Sequence, residues 1–467
     1  MKESILKFKE GKVVKTIKSV LSWRYFPFIT AALSLLNYYT GLDVFYIYYF
    51  CITGSLMLLL LDDTTPLFAN LLLMAVMISR KNSTMPSMSG ASYYSSPVIL
   101  TQVIILLAIH IAAVIYRIAI TIKRGKFSLS PIFFGLCALA FVLLLNGIFS
   151  KGYQPKNLLY GLIMAASFLG VFTAMKDNVS CSKESFINVA YSFVALSAVL
   201  LIELIVTYFT TEGIIENGVL QRTRLVFGWG TYNQAGMLYL ICIPPILFLA
   251  GRQKFGYLFS VYAIAVAVGT FFTMSRQAIL ASVIILPLCV IILIVTGRNR
   301  LANIIIAAVA VVALAIVLGV LWSKILVFFD SLNASLTTGS GRTRLWEQAI
   351  KNFKSAPFLG VGFYVEFDNY AGASGLGFLP NMYHNTIMQW MGACGICGLI
   401  VYLFHRVQTV ISYFKRVTVE RTFIAVTVLA LLIVNLLDNH LFNIFPTLIY
   451  SFLIALLEKS EKPALTP

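Results

Sequence analysis

A chain of 467 residues that is 59% hydrophobic and only 11% charged cannot cover a water-facing surface, because soluble domains carry roughly 25% charged residues. The formal net charge of +17 would suit nucleic acid in a soluble protein. Here Lys and Arg sit in short loops between apolar runs, a distribution set by their resistance to translocation, so no nucleic-acid partner is expected.

Residues 1–24 form a basic segment in which Ile5, Phe8, Val13, Ile17 and Val20 alternate with lysines. That spacing predicts a short helix lying on the cytoplasmic leaflet. No small-residue cleavage site follows the first apolar run, so the segment is not read as a cleaved signal.

Spans are expected near 25–40, 44–61, 65–79, 98–116, 131–149, 157–175, 186–209, 233–250, 255–274, 277–296, 301–322, 384–404, 422–437 and 440–457. Each apolar run is close to the length needed to cross a hydrocarbon core, giving about fourteen. The expected fold is therefore all-α, a polytopic integral membrane bundle. It comprises a single transmembrane domain over 25–457 and a cytoplasmic tail over 458–467. Alternating from an internal N-terminus places Arg406, Lys415, Arg416 and Arg421 in one cytoplasmic loop. The bias favours both termini inside.

On the opposite face lies one long loop over 323–383, far beyond what joins two helices. Within it, RTRLWEQAIKNFKSAP sets Leu345, Trp346, Ala349, Ile350 and Phe353 on one helical face. Pro357 stops that helix. Its amphipathic character predicts a position on the membrane surface. Of the seven cysteines, Cys51, Cys137, Cys242 and Cys289 lie in apolar runs, and Cys394 and Cys397 share one helix face inside a span. All are read as packing residues rather than as a disulfide or metal framework.

Cations on the outer face run against the charge bias and mark the candidate site. They are Arg222 and Arg224, Arg276 in the turn Ser275–Arg276, and Arg342 and Arg344 in the long loop. His384 then opens a span in MYHNTIMQW. Arginines hold phosphate oxygens through paired hydrogen bonds, and an imidazole can serve as general base near neutrality. A single external arginine is better explained by a side chain reaching lipid headgroups. Read alone, these residues give a membrane protein with an external anion site. Glu203 is a further suspect as an intramembrane carboxylate, with a hydrogen bond to another helix as the alternative. Asp438 and His440 share an outer turn, His110 reads as a packing residue, and His405 falls on the cytoplasmic side. No metal and no cofactor are expected.

Four segments resemble the O-antigen ligase and polymerase family of bacterial membrane glycosyltransferases. RLVFGWGTYNQAG is similar to the family's arginine-to-asparagine motif at Arg224 and Asn233. FTMSRQAILAS resembles its Ser-Arg motif at Arg276, and SGRTRLWEQAIKNFKSAPFLGVGF its Gly-Arg, helix and Gly-x-Gly stretch. YHNTIMQWMGACGICGLI resembles the His-Asn motif that follows the large external loop. Phe227 and Tyr232 stand where relatives often have glycine and proline, which leaves Arg222 and Arg224 as alternatives for the motif arginine.

The resemblance implies a GT-C-like glycosyltransferase in the bacterial cytoplasmic membrane, with its active site facing outside. The donor would be an undecaprenyl-pyrophosphate-linked oligosaccharide. His384, Arg276 and Arg224 would be catalytic, and Arg222, Arg342, Arg344, Asn385 and Asp438 would bind substrate. Asp438 resembles a family acid placed to orient an arginine or His384. Transfer would be inverting and metal-independent. Polymerisation of repeat units, as for O-antigen or capsule, is favoured over ligation of a finished glycan to lipid A core or protein. Besides membrane lipids, a flippase and a chain-length regulator are the expected partners. A lipid-linked oligosaccharide flippase is the alternative from another class, but no internal repeat supports it.

Overall fold

The computed structural model describes residues 11–79, 97–216, 219–320, 342–365 and 380–458. The helices are α1 Lys12–Leu21, α2 Phe26–Thr40, α3 Asp43–Leu60, α4 Leu67–Leu73, α5 Pro97–Lys123, α6 Pro131–Phe149, α7 Pro155–Ala165 and α8 Val171–Met175. They continue as α9 Lys183–Thr210, α10 Tyr232–Arg252, α11 Tyr257–Phe272, α12 Arg276–Thr296, α13 Arg300–Val320, α14 Arg342–Ser355, α15 Thr386–Phe414, α16 Val419–Leu437 and α17 Ile444–Glu458. The tail beyond 458 and most of the long external loop lie outside the described residues.

Among the described residues nine helices are long and apolar enough to cross a membrane, or up to ten if the bent pair α1 and α2 is one span. Four shorter apolar helices, including 67–76 and 444–458, accompany them. Every expected span falls on an apolar helix. The helix starts follow local chemistry. Ser130 caps α6 by accepting from the Phe133 amide at 3.2 Å, with Pro131 at the first turn. Thr418 caps α16 in the same way. The amphipathic α1 is present and turns through 75° into α2. A π-turn, Ala166–Gly170, joins α7 to α8.

Of the nine long apolar helices α10 is the most enclosed, with every residue from Ala235 to Gly251 buried. It packs on α9, α11, α12 and α16. At its C-terminal end Arg252 pairs with Glu420 at 2.9 Å. Nearby, Arg421 donates to the carbonyls of Ser412 and Leu457. Cations here satisfy the carbonyls left open at helix ends.

α15 is broken at Gly395, where φ is 67°. The segment Pro357 to Gly362 lies in the break. The amides of Ile396 and Cys397 donate to the carbonyls of Pro357 (2.8 Å) and Phe358 (3.2 Å), and the Gly362 amide donates to Ala393 at 3.0 Å. A Cβ on Gly360 would meet the Ala393 carbonyl at 2.2 Å, so only glycine permits this approach. The Gly-x-Gly stretch is thus a backbone insertion into a kinked span. Asn146 of α6 closes it, donating to the carbonyls of both Leu359 and Ala393 at 2.6 Å. Cys394 and Cys397 are free thiols, and Cys394 is buried there.

Candidate active site

The N-termini of α10, α12 and α15 meet the C-terminus of α16 at the other end of the bundle. Three helix N-termini bring partial positive charge to one place. The chain enters α10 through a tight hairpin in which Val226–Phe227 pairs with Gly230–Thr231. Thr231 and Gln234 then form a capping box. Phe227 stacks on Trp229 at 5.0 Å, and the Trp229 indole donates to buried Glu203 at 2.7 Å. Glu203 therefore anchors this hairpin, not a neighbouring helix.

Arg222 lies just before the hairpin, 5.3 Å from the ring of Tyr232. The departures from the family pattern at Phe227 and Tyr232 thus have local partners. Arg224 takes another course: it is exposed, donates to the Glu212 carbonyl at 3.3 Å, and lies against Gly213. Arg222, Tyr232 and Arg342 act electrostatically on the half-buried Arg276. Of the two alternative arginines, the structure brings Arg222 to Arg276.

Arg276 is the first residue of α12 and not part of the turn, which is Thr273 to Ser275 with Met274 in the left-handed region at φ 56°. Ser275 is fully buried and donates to Asn233 Oδ1 at 3.3 Å. Asn233 Nδ2 in turn donates to Asp438 Oδ2 at 3.5 Å. Gln277, next along α12, contacts His440 Nε2 at 2.8 Å.

His384 also has a left-handed backbone, φ 50°, an uncommon state for histidine that surrounding contacts must hold. Those contacts are visible. Tyr383 donates its amide to Gln389 Oε1 at 2.9 Å, Asn385 caps α15 through the Met388 amide at 3.1 Å, and Thr386 donates to the Asn435 carbonyl at 2.7 Å. The imidazole Nδ1 lies 2.8 Å from Asp438 Oδ1, with the His384 side chain 42% exposed and that of Asp438 8%. The Asp438 carboxylate holds Nδ1–H, which leaves Nε2 free to accept a proton. Burial alone would raise the pKa of Asp438. Positive charge on His440 at the low pH where it is protonated, the hydrogen bond and charge of His384, and the charge of Arg342 overrule it and hold the carboxyl well below its ordinary 3.8. Burial pushes His440 below its ordinary 6.5 against the pull of Asp438.

α14 covers this end. Its buried residues are Leu345, Ala349 and Asn352, a stripe at helical spacing that faces α15. Ile350, expected on the apolar face, is 40% exposed. Leu345 and Ala349 are buried and Trp346 and Phe353 half-buried, and the helix packs on α15. Arg342 at its start acts electrostatically on Arg276, Asp438 and His440.

Residues 261–403 match a family model, O-antigen ligase. The match supports the family expected from the motifs. It spans α11 to α15 and therefore includes Arg276, Arg342 and His384. No curated protein matches the chain significantly. The apolar helices show a membrane-spanning chain in length and composition, and the match makes its C-terminal half similar to O-antigen ligases.

Of the expected site residues, the structure gathers Arg222, Arg276, Arg342, His384 and Asp438. Arg224 is turned toward Glu212, Arg344 is exposed, and Asn385 is occupied as a helix cap and by the Leu436 carbonyl at 2.9 Å. Sequence reasoning gave no site role to Asn233, Ser275, Gln277 or His440. Their signal was adjacency: Ser275 and Gln277 flank Arg276, and His440 follows Asp438 by two residues. Among the described residues no group of three or more His, Cys, Asp or Glu is placed to hold a metal ion.

Proposed function

We propose that this protein is a glycosyltransferase that polymerises undecaprenyl-pyrophosphate-linked repeat units at the outer face of a bacterial cytoplasmic membrane. The carrying observation is the hydrogen-bonded chain that runs from Ser275, next to Arg276, through Asn233 and Asp438 to His384, so anion-holding and proton-accepting groups share one locus. Arg222, Arg276 and Arg342 hold the pyrophosphate and offset the charge that builds on it as the glycosidic bond breaks. His384 Nε2 takes the proton of the acceptor hydroxyl as that oxygen attacks the anomeric carbon. The lipid pyrophosphate leaves with the bonding pair, and a single displacement inverts the centre. Ligation to a non-lipid-carrier acceptor uses the same residues and differs only in the acceptor.

The test uses the full chain in proteoliposomes with lipid-linked repeat units as both donor and acceptor. A ladder of products from wild type, and none from His384→Ala with undecaprenyl pyrophosphate still bound, is the expected result. A base within reach of the hydroxyl contributes about 10²–10⁴-fold. A normal ladder from His384→Ala would remove the histidine from this role. Transfer only to an added lipid A core acceptor would make the protein a ligase. Thiol labelling of Arg344→Cys and Lys415→Cys from opposite sides checks the orientation.

A further inference from the structure

Asp438 faces two histidines. Its Oδ1 is 2.8 Å from His384 Nδ1, and its Oδ2 is 3.9 Å from His440 Nε2. A protonated His440 would turn Nε2–H toward Oδ2 and make an ion pair, drawing the carboxylate's charge away from His384. The structure holds His440 otherwise. Gln277 Nε2, 2.8 Å from His440 Nε2, is an amide nitrogen and can only donate. With the amide nitrogen on this side, the His440 nitrogen beside it is the unprotonated acceptor.

We propose that Gln277 is a positioning residue that keeps His440 neutral and so reserves the Asp438 carboxylate for His384. This rests on the reading of His384 as base. The charged and titratable groups acting on His440 are Asp438, His384 and Arg342, and Gln277 adds only an amide dipole. Burial of His440 acts in the same direction as the Gln277 hydrogen bond. Gln277 also directly follows Arg276 on α12. One helix therefore sets the pyrophosphate-holding charge and, one residue on, the state of the proton acceptor's partner.

The chain has only four histidines, so their imidazole nitrogens can be followed one by one. Full-length protein labelled with ¹⁵N-histidine in nanodiscs would be titrated from about pH 8 to 5, with each signal assigned by a His→Gln variant. In wild type, His440 Nε2 should stay unprotonated across that range. In Gln277→Leu, His440 should take up a proton in the same range, its midpoint raised by about one unit or more, a tenfold gain in proton affinity. The acid limb of the transfer rate should move to higher pH and steepen, and Gln277→Leu/His440→Gln should reverse both changes. Gln277→Asn, too short to reach the imidazole, serves if the Leu variant does not insert. A His440 already cationic at neutral pH in wild type, or identical titrations with and without the Gln277 amide, would overturn the proposal. Activity surviving in His384→Ala would instead remove the base assignment, and the nitrogen titration of His440 would still be readable.

Discussion

Trp346 donates its indole N–H to the carbonyl of Tyr383 at 3.1 Å, tying the helix that covers the site to the residue next to His384. Asn352, two turns along α14, donates to the Tyr383 hydroxyl at 2.7 Å. The cover and the left-handed residue it shelters are thus one assembly.

Trp346→Phe keeps the ring and removes the donor. A hydrogen bond of this kind contributes about 0.5–1.5 kcal/mol net. The transfer rate should fall by roughly three- to tenfold with donor affinity nearly unchanged, measured as kcat and KM in proteoliposomes. An effect confined to KM would show that α14 serves binding alone.

Arg222→Ala should weaken binding of undecaprenyl pyrophosphate by roughly 10- to 100-fold, the loss of one charge-assisted hydrogen bond. Arg224→Ala should change it by less than about threefold, because Arg224 is exposed and engaged at Glu212. Arg276→Lys keeps the charge but not the paired geometry and should lose most transfer activity. Isothermal titration in nanodiscs separates the three, and equal losses at Arg222 and Arg224 would contradict the arrangement.

Asp438→Asn should lower transfer by about 10²-fold or more, since the amide no longer holds His384 Nδ1–H as a carboxylate does. The sign of its pH linkage is fixed by its depressed folded pKa. Ionised Asp438 contributes stability that is fully present above the unfolded value of 3.8 and is lost as pH falls below it. Between pH 5 and 8 the carboxylate should therefore add no slope to melting temperature, as differential scanning of wild type against Asp438→Asn can show.

His440 has the opposite chemistry. Its folded pKa lies below 6.5, so as pH falls through about 6.5 the unfolded chain binds a proton that the folded chain refuses. Stability should drop over that window in wild type and drop less in His440→Gln. Parallel melting curves from pH 7.5 to 5.5 would settle it, with coincident slopes as the contrary outcome.

Most of the bundle was legible because apolar length is a coarse signal that tertiary context rarely overrides in lipid. The spans around 131–149, 186–209 and 277–296 all fall on helices. The residue types drew attention to this region, since arginines expected on the outer face and a histidine at a span start depart from the ordinary charge pattern. What the sequence concealed was aim. Arg222 and Arg224 are two residues apart, and a tight hairpin anchored on Glu203 decides which one meets Arg276. On α14 the sequence did not mark Asn352, which is polar by composition yet buried through its bond to Tyr383. Gln277 and His440 gained meaning only from proximity across 163 residues of chain.

The clasp made by Asn146 bears on how the two halves of the chain depend on each other. That side chain reaches carbonyls 213 and 247 positions away, inside the stretch matched by the family model. The spans before it are therefore part of the frame that holds α15 bent, even though the matched region begins only at 261. Those early spans can drift in sequence wherever they face lipid, but a donor must persist where Asn146 stands. A hybrid grafting foreign N-terminal spans onto this C-terminal half would inherit the site residues and lose the bend that presents His384.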